Sequence, residues 1–158
     1  MSTSVRAASS DDYDAFCALV VQADKHHAAG LPRLFREASG PARPRAVYDE
    51  ILASPEKTLL AAELEGRVVG LVSVELRSPP EYPILVPRRF GYVEDLVVDA
   101  EARRRGVGRA LMAAAEAWIV SQGGSECRLN VYSFNAAALA LYEELGYEPL
   151  SVQLSKAL

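Results

Sequence analysis

The chain has 158 residues, half of them hydrophobic and 24% charged, with a formal net charge of −4. That length suits a single domain over residues 1–158 burying about 68–70% of the unfolded chain's surface, and the acidic balance, with a pI near 5.3, excludes a globally basic nucleic-acid binder. The opening MSTSVRAASSDD has no apolar run of the secretory kind, and no stretch approaches the ~20 apolar residues of a membrane span, so a cytoplasmic protein is expected.

SVRAA is a short strand. SSDDYDAFCALVVQAD reads as a helix: Ser10 or Asp11 can cap it, and Phe16, Leu19, Val20 and Ala23 form one apolar stripe. KHHAAGLPRLFREASGPARPR is irregular, rich in Gly, Pro and Arg, and AVYDEILAS is a short helix ending before Pro55. TLLAAEL and VVGLVSVELR are strands joined at Glu65-Gly66-Arg67, a hairpin signal. SPPEYPILVPRR carries four prolines and is a loop. GYVEDLVVD is a strand, and residues 107–121 form a helix with Leu111, Met112, Ala115, Trp118 and Ile119 on one face, stopped by Gly123-Gly124. CRLNVY is a strand, NAAALALYEELG a helix with Gly146 as its C-cap, and EPLSVQLSK a last strand. A hairpin sheet followed by strand, helix, strand, helix and strand is an α/β architecture with helices on the faces of a mixed sheet. Cys17 and Cys127 lie far apart without metal spacing and read as small buried hydrophobes.

The informative unit is YVEDLVVDAEARRRGVGRAL: strand, short loop, Gly-x-Gly, helix. A helix start carries about four backbone N–H groups without intrahelical partners and roughly half a positive charge, which together make an anion site. Gly106 and Gly108 lack the Cβ atoms that would hold a ligand off those groups, while Arg103, Arg104, Arg105 and Arg109 add positive charge. A phosphate or pyrophosphate suits such a site. By itself the glycine spacing reads first as a charged loop entering an ordinary helix. No Gly-Lys-Ser/Thr follows, and the third glycine of a dinucleotide fingerprint would fall at Leu111.

In this context Arg103-x-x-Gly106-x-Gly108, after LVVD, resembles the acyl-CoA-binding motif of the GNAT superfamily of N-acetyltransferases, Gln/Arg-x-x-Gly-x-Gly/Ala. NVYSFNAAALALYEELGYEP is similar to the family's second landmark, with Asn135, Tyr142 and Gly146 through Pro149 in place. The resemblance runs from about Val5 to Leu154, specific from Tyr92 to Pro149 and loose over 24–57 and 77–90. It implies the GNAT fold, a mixed, mostly antiparallel sheet of about six strands flanked by about four helices. It implies acetyl-CoA as acetyl-donor cosubstrate, its pyrophosphate wrapped by the backbone of Arg104, Arg105, Gly106, Val107, Gly108 and Arg109, with Arg103 at the Gln/Arg position. Many members carry a further glycine at Arg104, and a positive φ there would strain an arginine.

The same resemblance assigns the chemistry. Backbone N–H groups of Leu96, Val97 and Val98 would meet the acetyl carbonyl, although these residues suit the core equally. Tyr142 would protonate the leaving thiolate; read alone, it is a core tyrosine. It follows Asn135 by seven residues, about two helical turns. Asn135 either contacts the pantetheine arm or caps its helix, or does both. Y-x-E-D-L resembles the spermidine/spermine acetyltransferase branch, which gives Glu94 the role of base and cation anchor; the alternative is a solvated edge carboxylate. Strand alternation puts Glu94 and Asp95 on opposite faces, leaving Asp95 a structural role. His26 and His27 fall where the family's first-helix loop covers the acceptor, with no metal site, and Tyr82, Arg88 and Phe90 are further acceptor-cleft candidates.

The expected function is N-acetylation of a primary amine, first a polyamine or other small cationic amine, alternatively a protein N-terminus or lysine. A non-catalytic acyl-CoA-binding or sensing domain is the rival of another class. Expected partners are the amine and, as an open option, a second copy in a homodimer, with neither nucleic acid nor membrane.

Overall fold

The structure is a computed structural model and describes residues 2–158. Five strands form one open sheet in the order β1-β2-β3-β4-β5: β1 Ser4–Ala7, β2 Lys57–Leu64, β3 Arg67–Arg77, β4 Phe90–Val98 and β5 Cys127–Leu129. Neighbours are antiparallel except β4 and β5, which are parallel. A parallel step requires a crossover, and α3 (Val107–Ser121) supplies it. The other helices are α1 (Tyr13–Gly30), α2 (Arg45–Ala53) and α4 (Ala136–Glu144). Glu65 and Gly66, at φ 55° and 76°, turn β2 into β3, the tight left-handed turn whose twist matches the strands.

Side chains alternate across each strand and build two cores. Leu60, Val72, Val74 and Val93 pack under Leu111, Met112, Ala115 and Ile119 of α3. Leu59, Leu71 and Val97 pack under Phe16, Leu19 and Val20 of α1 and Tyr48 of α2. The Tyr48 ring is fully buried, and its hydroxyl donates to the Ser9 carbonyl at 2.5 Å, the partner a buried phenol needs. Arg6 on β1 ties this side together, bonding Asp12 at 2.8 Å and Glu63 at 2.6 Å. No helix of the described residues is long and apolar enough to cross a membrane.

Several expectations shift. Ser9, not Ser10 or Asp11, opens the first turn: its hydroxyl accepts from Asp11 N–H while Asp12 accepts from Ser9 N–H, a capping box. α1 continues past Asp24 to Gly30; two alanines favour helix there, and aromatic packing described below fixes its end. CRLNVY is strand only over Cys127–Leu129. The expected last strand is absent: residues 148–158 are exposed and belong to no strand, which leaves five strands among the described residues instead of six.

Candidate active site

On β4, Asp95 faces Ser73 of β3 and Val93 faces Val74, so Glu94 is an extra residue with no partner. This β-bulge inserts one residue and reverses the alternation beyond it. Val93 accordingly joins the core under α3, and Val97 the core under α1. The expectation that Glu94 and Asp95 point to opposite faces is corrected: both line one cavity of about 230 Å³ with Phe16, Ile51, Arg43 and Lys57.

The two carboxylates sit in a graded field. Glu94 accepts from Arg77 at 3.3 Å, and Arg77 also bonds Glu75 at 2.8 Å and lies over the Tyr92 ring at 4.0 Å. Burial pushes the Glu94 carboxyl above its ordinary value; Lys57 and Arg77 oppose the rise, and Glu75 and Asp95 reinforce it. Burial likewise raises Asp95, against Arg43 and His27 and with Asp24. Arg43 is itself held by Asp24 at 3.0 Å. Across the ladder from Asp95 the buried Ser73 hydroxyl has no well-formed hydrogen bond, although its nearness slightly favours the Asp95 anion.

Immediately beyond the bulge the sheet opens. β5 pairs with β4 only at Gly91, Tyr92 and Val93. Asp99 N–H donates to Val69 of β3 at 2.8 Å, so alternation turns the N–H groups of Leu96 and Val98 to the opposite, open edge. Val97 instead turns toward β3, and its side chain is buried. Arg103 Nε donates to the Val98 carbonyl at 3.4 Å on that open edge.

Packing holds the two strands apart. After β5 the chain carries Tyr132 and Phe134 into a cluster with His26, His27 and Phe35; His26 stands 5.3 Å from Phe134, and His27 5.6 Å from Tyr132. Phe134 comes so close to Gly30 that a Cβ there would lie 2.2 Å from its ring. The histidines pack against these aromatic rings at the end of α1. The candidates from the β3–β4 loop lie elsewhere: Phe90 is buried under Arg128 at 4.3 Å, Arg88 lies beside Glu126 at 3.7 Å, and Tyr82 is exposed.

The α3 entrance has the anticipated polarity. Gly106, at φ 80°, precedes the helix, and no side chain caps it. The first closed bond is Ala110 N–H to Gly106 at 3.0 Å, so Val107, Gly108 and Arg109 N–H have no intrahelical acceptor. Arg104 takes φ 63°, the left-handed conformation a glycine would adopt without cost. Among the described residues Arg109 is paired with Glu144 at 2.8 Å, whereas Arg103, Arg104 and Arg105 have no carboxylate partner. The two glycines do different jobs. Gly106 supplies a left-handed backbone, while a Cβ on Gly108 would meet Leu141 of α4 at 3.1 Å.

Asn135 caps α4, accepting from Ala138 N–H at 3.3 Å. Two turns on, Tyr142 packs against the core under α3, its ring 5.8 Å from Tyr147. Burial, reinforced by Cys127, pushes its hydroxyl up to about 12. The Tyr147 hydroxyl donates to Glu116 at 2.7 Å, whereas the Tyr142 hydroxyl has no hydrogen-bond partner among the described residues. Among those residues no cluster of His, Cys, Asp and Glu could hold a metal ion.

The model of the acetyltransferase (GNAT) family matches residues 22–147. An uncharacterized N-acetyltransferase of Bacillus subtilis, YhfO, is 30% identical over 135 residues, 80% of this chain and 87% of that protein. N-acetyltransferase family 8 member 3 of Rattus norvegicus is 34% identical over 97 residues, 61% of this chain and 41% of that protein, so the chain spans about two fifths of it. A mutant of the BH1408 protein of Bacillus halodurans has the same fold, with a TM-score of 0.93 over 98% of this chain and 99% of that one at 24% identity.

Proposed function

The chain belongs to the GNAT acetyltransferase family, an acetyl-transferring enzyme class, and on that premise we propose that it acetylates the primary amine of a small cationic acceptor held over Glu94 and Asp95. The bulge at Glu94 carries this reading: it turns two carboxylates into one cavity beside the stretch of β4 edge that exposes Leu96 and Val98 N–H.

The residues present fit acetyl-CoA. The uncapped N–H groups of Val107, Gly108 and Arg109, the left-handed turn at Arg104 and Gly106, and the cations of Arg103, Arg104 and Arg105 suit a pyrophosphate. When bound, acetyl-CoA supplies an acyl carbon activated as a thioester. Leu96 and Val98 N–H then donate to the carbonyl oxygen as it gains charge. Asn135 keeps its cap on α4 and so orients Tyr142.

A primary amine, with a pKa near ~10.4, arrives protonated. Glu94 and Asp95 attract that cation, Glu94 accepts the ammonium proton and so frees the nitrogen lone pair to attack, and the second proton, lost once the carbon–nitrogen bond has formed, passes to solvent. The raised affinity of Glu94 for protons strengthens it as a base. As the carbon–sulfur bond breaks, Tyr142 gives its proton to sulfur; a hydroxyl near 12 stays protonated at neutral pH and serves as an acid.

An acceptor screen with acetyl-CoA and a thiol-detecting reagent tests this. Polyamine-type acceptors should turn over best, with kcat/KM falling as their positive charges are removed. Turnover confined to peptide N-termini or lysines would replace the acceptor assignment, and firm CoA binding with no turnover on any amine would make the chain a binding domain.

A further inference from the structure

Glu94 stands in the bulge with no residue opposite it, so the ladder between β3 and β4 does not fix where its side chain points. The extra residue of a bulge is left unpaired, and a glutamate side chain has much rotamer freedom to lose. Among the described residues one side chain donates to its carboxylate: Arg77, whose Nη2 lies 3.3 Å from Glu94 Oε1. Arg77 is held from two further sides. Its Nε donates to Glu75 Oε2 at 2.8 Å, and its guanidinium lies 4.0 Å from the centre of the Tyr92 ring. Glu75 in turn lies 3.8 Å from Lys57. Glu94 and Lys57 line the cavity, whereas Glu75 and Arg77 do not.

The two bonds of Arg77 are unequal, and the inequality suits a base. A guanidinium locked onto Glu94 would favour its anion and weaken it as a proton acceptor. No donor at all would leave the bulge residue unsteered. Here Glu75 takes the short bond and balances the charge of Arg77, which leaves a longer, directional bond for Glu94. The two carboxyls diverge accordingly. Against burial, Arg77, Lys57 and Glu94 hold Glu75 below its ordinary value, while burial pushes Glu94 above its own. Neighbouring carboxyls pushed apart in this way take different roles: Glu75 remains the anion that anchors Arg77, and Glu94 is the one that changes charge. The other charges around Glu94 are Lys57 of β2, Asp95 beside it, and Arg43 and Glu50 on the cavity lining; none of them bonds it among the described residues.

We propose that Arg77, anchored by Glu75, is a positioning residue: it aims the Glu94 carboxylate at the acceptor ammonium and touches neither the acceptor nor acetyl-CoA. This role rests on the reading of Glu94 as the base. As a structural contact alone the pair would matter little. The Arg77 and Glu75 side chains are 39% and 26% exposed, and ion pairs near the surface add little to stability, so substitutions at either position should leave the chain folded.

Steady-state rates with acetyl-CoA and a small diamine across about pH 5–9 test it, with thermal melts and CoA titrations on the same samples. Arg77→Gln should lower kcat/KM about ten- to a hundredfold at unchanged CoA affinity. By removing a cation beside Glu94, it should also move the acid limb of the profile to higher pH. Glu75→Gln should move that limb the other way, because it removes a negative neighbour and releases Arg77 to Glu94. Arg77→Lys should return the limb toward its wild-type place but recover only part of the rate, since an ammonium lacks the planar fork. In a Glu94→Gln background, Arg77→Gln should cost almost nothing further. An Arg77→Gln enzyme with wild-type rate and profile overturns the proposal. So do limbs that move the same way in Arg77→Gln and Glu75→Gln, or a loss from Arg77→Gln that stays full size in the Glu94→Gln background. These outcomes leave the base assignment standing, whereas a Glu94→Gln enzyme indistinguishable from wild type removes that assignment and the positioning role with it.

Discussion

Glu94 and Asp95, adjacent along β4, open onto the same cavity. Burial raises both carboxyls, so each holds its proton more tightly folded than unfolded. The folded state then binds more protons over the window between the unfolded value and the raised folded value. Stability falls as pH rises through that window, and the cost remains above it. Asp95→Asn should therefore raise the thermal midpoint at about pH 7 and leave it unchanged at about pH 3, where the carboxyl is protonated in both states. Paired melts decide, and a lower midpoint at neutral pH would contradict the sign.

Glu94→Gln keeps the size of the side chain and removes its charge. Loss of the base should lower kcat/KM by roughly 10²-fold or more, and the profile should move to higher pH because the amine must lose its proton unaided. A cationic acceptor should lose more than an uncharged-bodied one. Steady-state rates across pH with both acceptors measure this; identical profiles would return Glu94 to the status of a solvated carboxylate.

Tyr142→Phe removes a hydroxyl that bonds no described residue, so folding stability should barely change. Turnover should drop by roughly 10²–10⁴-fold at nearly constant CoA affinity. Tyr147→Phe is the contrast: it breaks the 2.7 Å bond to Glu116 and should cost about 1 kcal/mol of stability. Calorimetry and single-turnover rates on both variants separate the tyrosines.

Two substitutions at the α3 entrance should act in opposite directions. Arg104→Gly relieves a left-handed arginine and should change stability by no more than about 1 kcal/mol, on the favourable side, because the strain relieved slightly exceeds glycine's entropy. Gly108→Glu drives a side chain toward Leu141 at 3.1 Å and brings negative charge to the anion site. CoA affinity should fall at least tenfold, a loss of ~1.4 kcal/mol. Denaturant melts read the first and titration calorimetry with CoA the second.

Asp12 is held down to about 2, chiefly by Arg6, against burial and with help from Ser9. A lowered carboxylate stabilises above its unfolded value and loses that contribution as pH falls through about 2. Asp12→Asn should cost about 1 kcal/mol at neutral pH, as loss of a cap does, and nothing below pH ~2. Denaturant midpoints at several pH values check it.

The α3 entrance was legible because its signals are local. Gly106, the arginines before it and the apolar face of Leu111, Met112, Ala115 and Ile119 all mark their own conformation. Arg104 was legible too, as a residue standing where a glycine's φ would be needed. The bulge was not, because no residue type announces it; Glu94 becomes supernumerary only through the register of β3. Arg43 and Lys57 reach the cavity from a loop and from β2, a tertiary fact with no trace in their neighbours along the chain. The C-terminal alternation of Leu150, Val152 and Leu154 marks a strand pattern, but pattern alone does not pair a strand, and these residues join no sheet.

Leu141, whose neighbour is Tyr142, rests where a Gly108 side chain would be, and Glu144 on the same helix grips Arg109 at 2.8 Å. α3 and α4 therefore work as a rigid gauge. The proposed anion-binding end and the proposed proton-donating end thus meet at a contact into which a single added methyl group at Gly108 would press, 3.1 Å from Leu141. Gly108→Ala would move the two ends together, so KM for acetyl-CoA and the contribution of Tyr142 to turnover should drift in step, an unusual coupling for a residue that touches neither reacting atom.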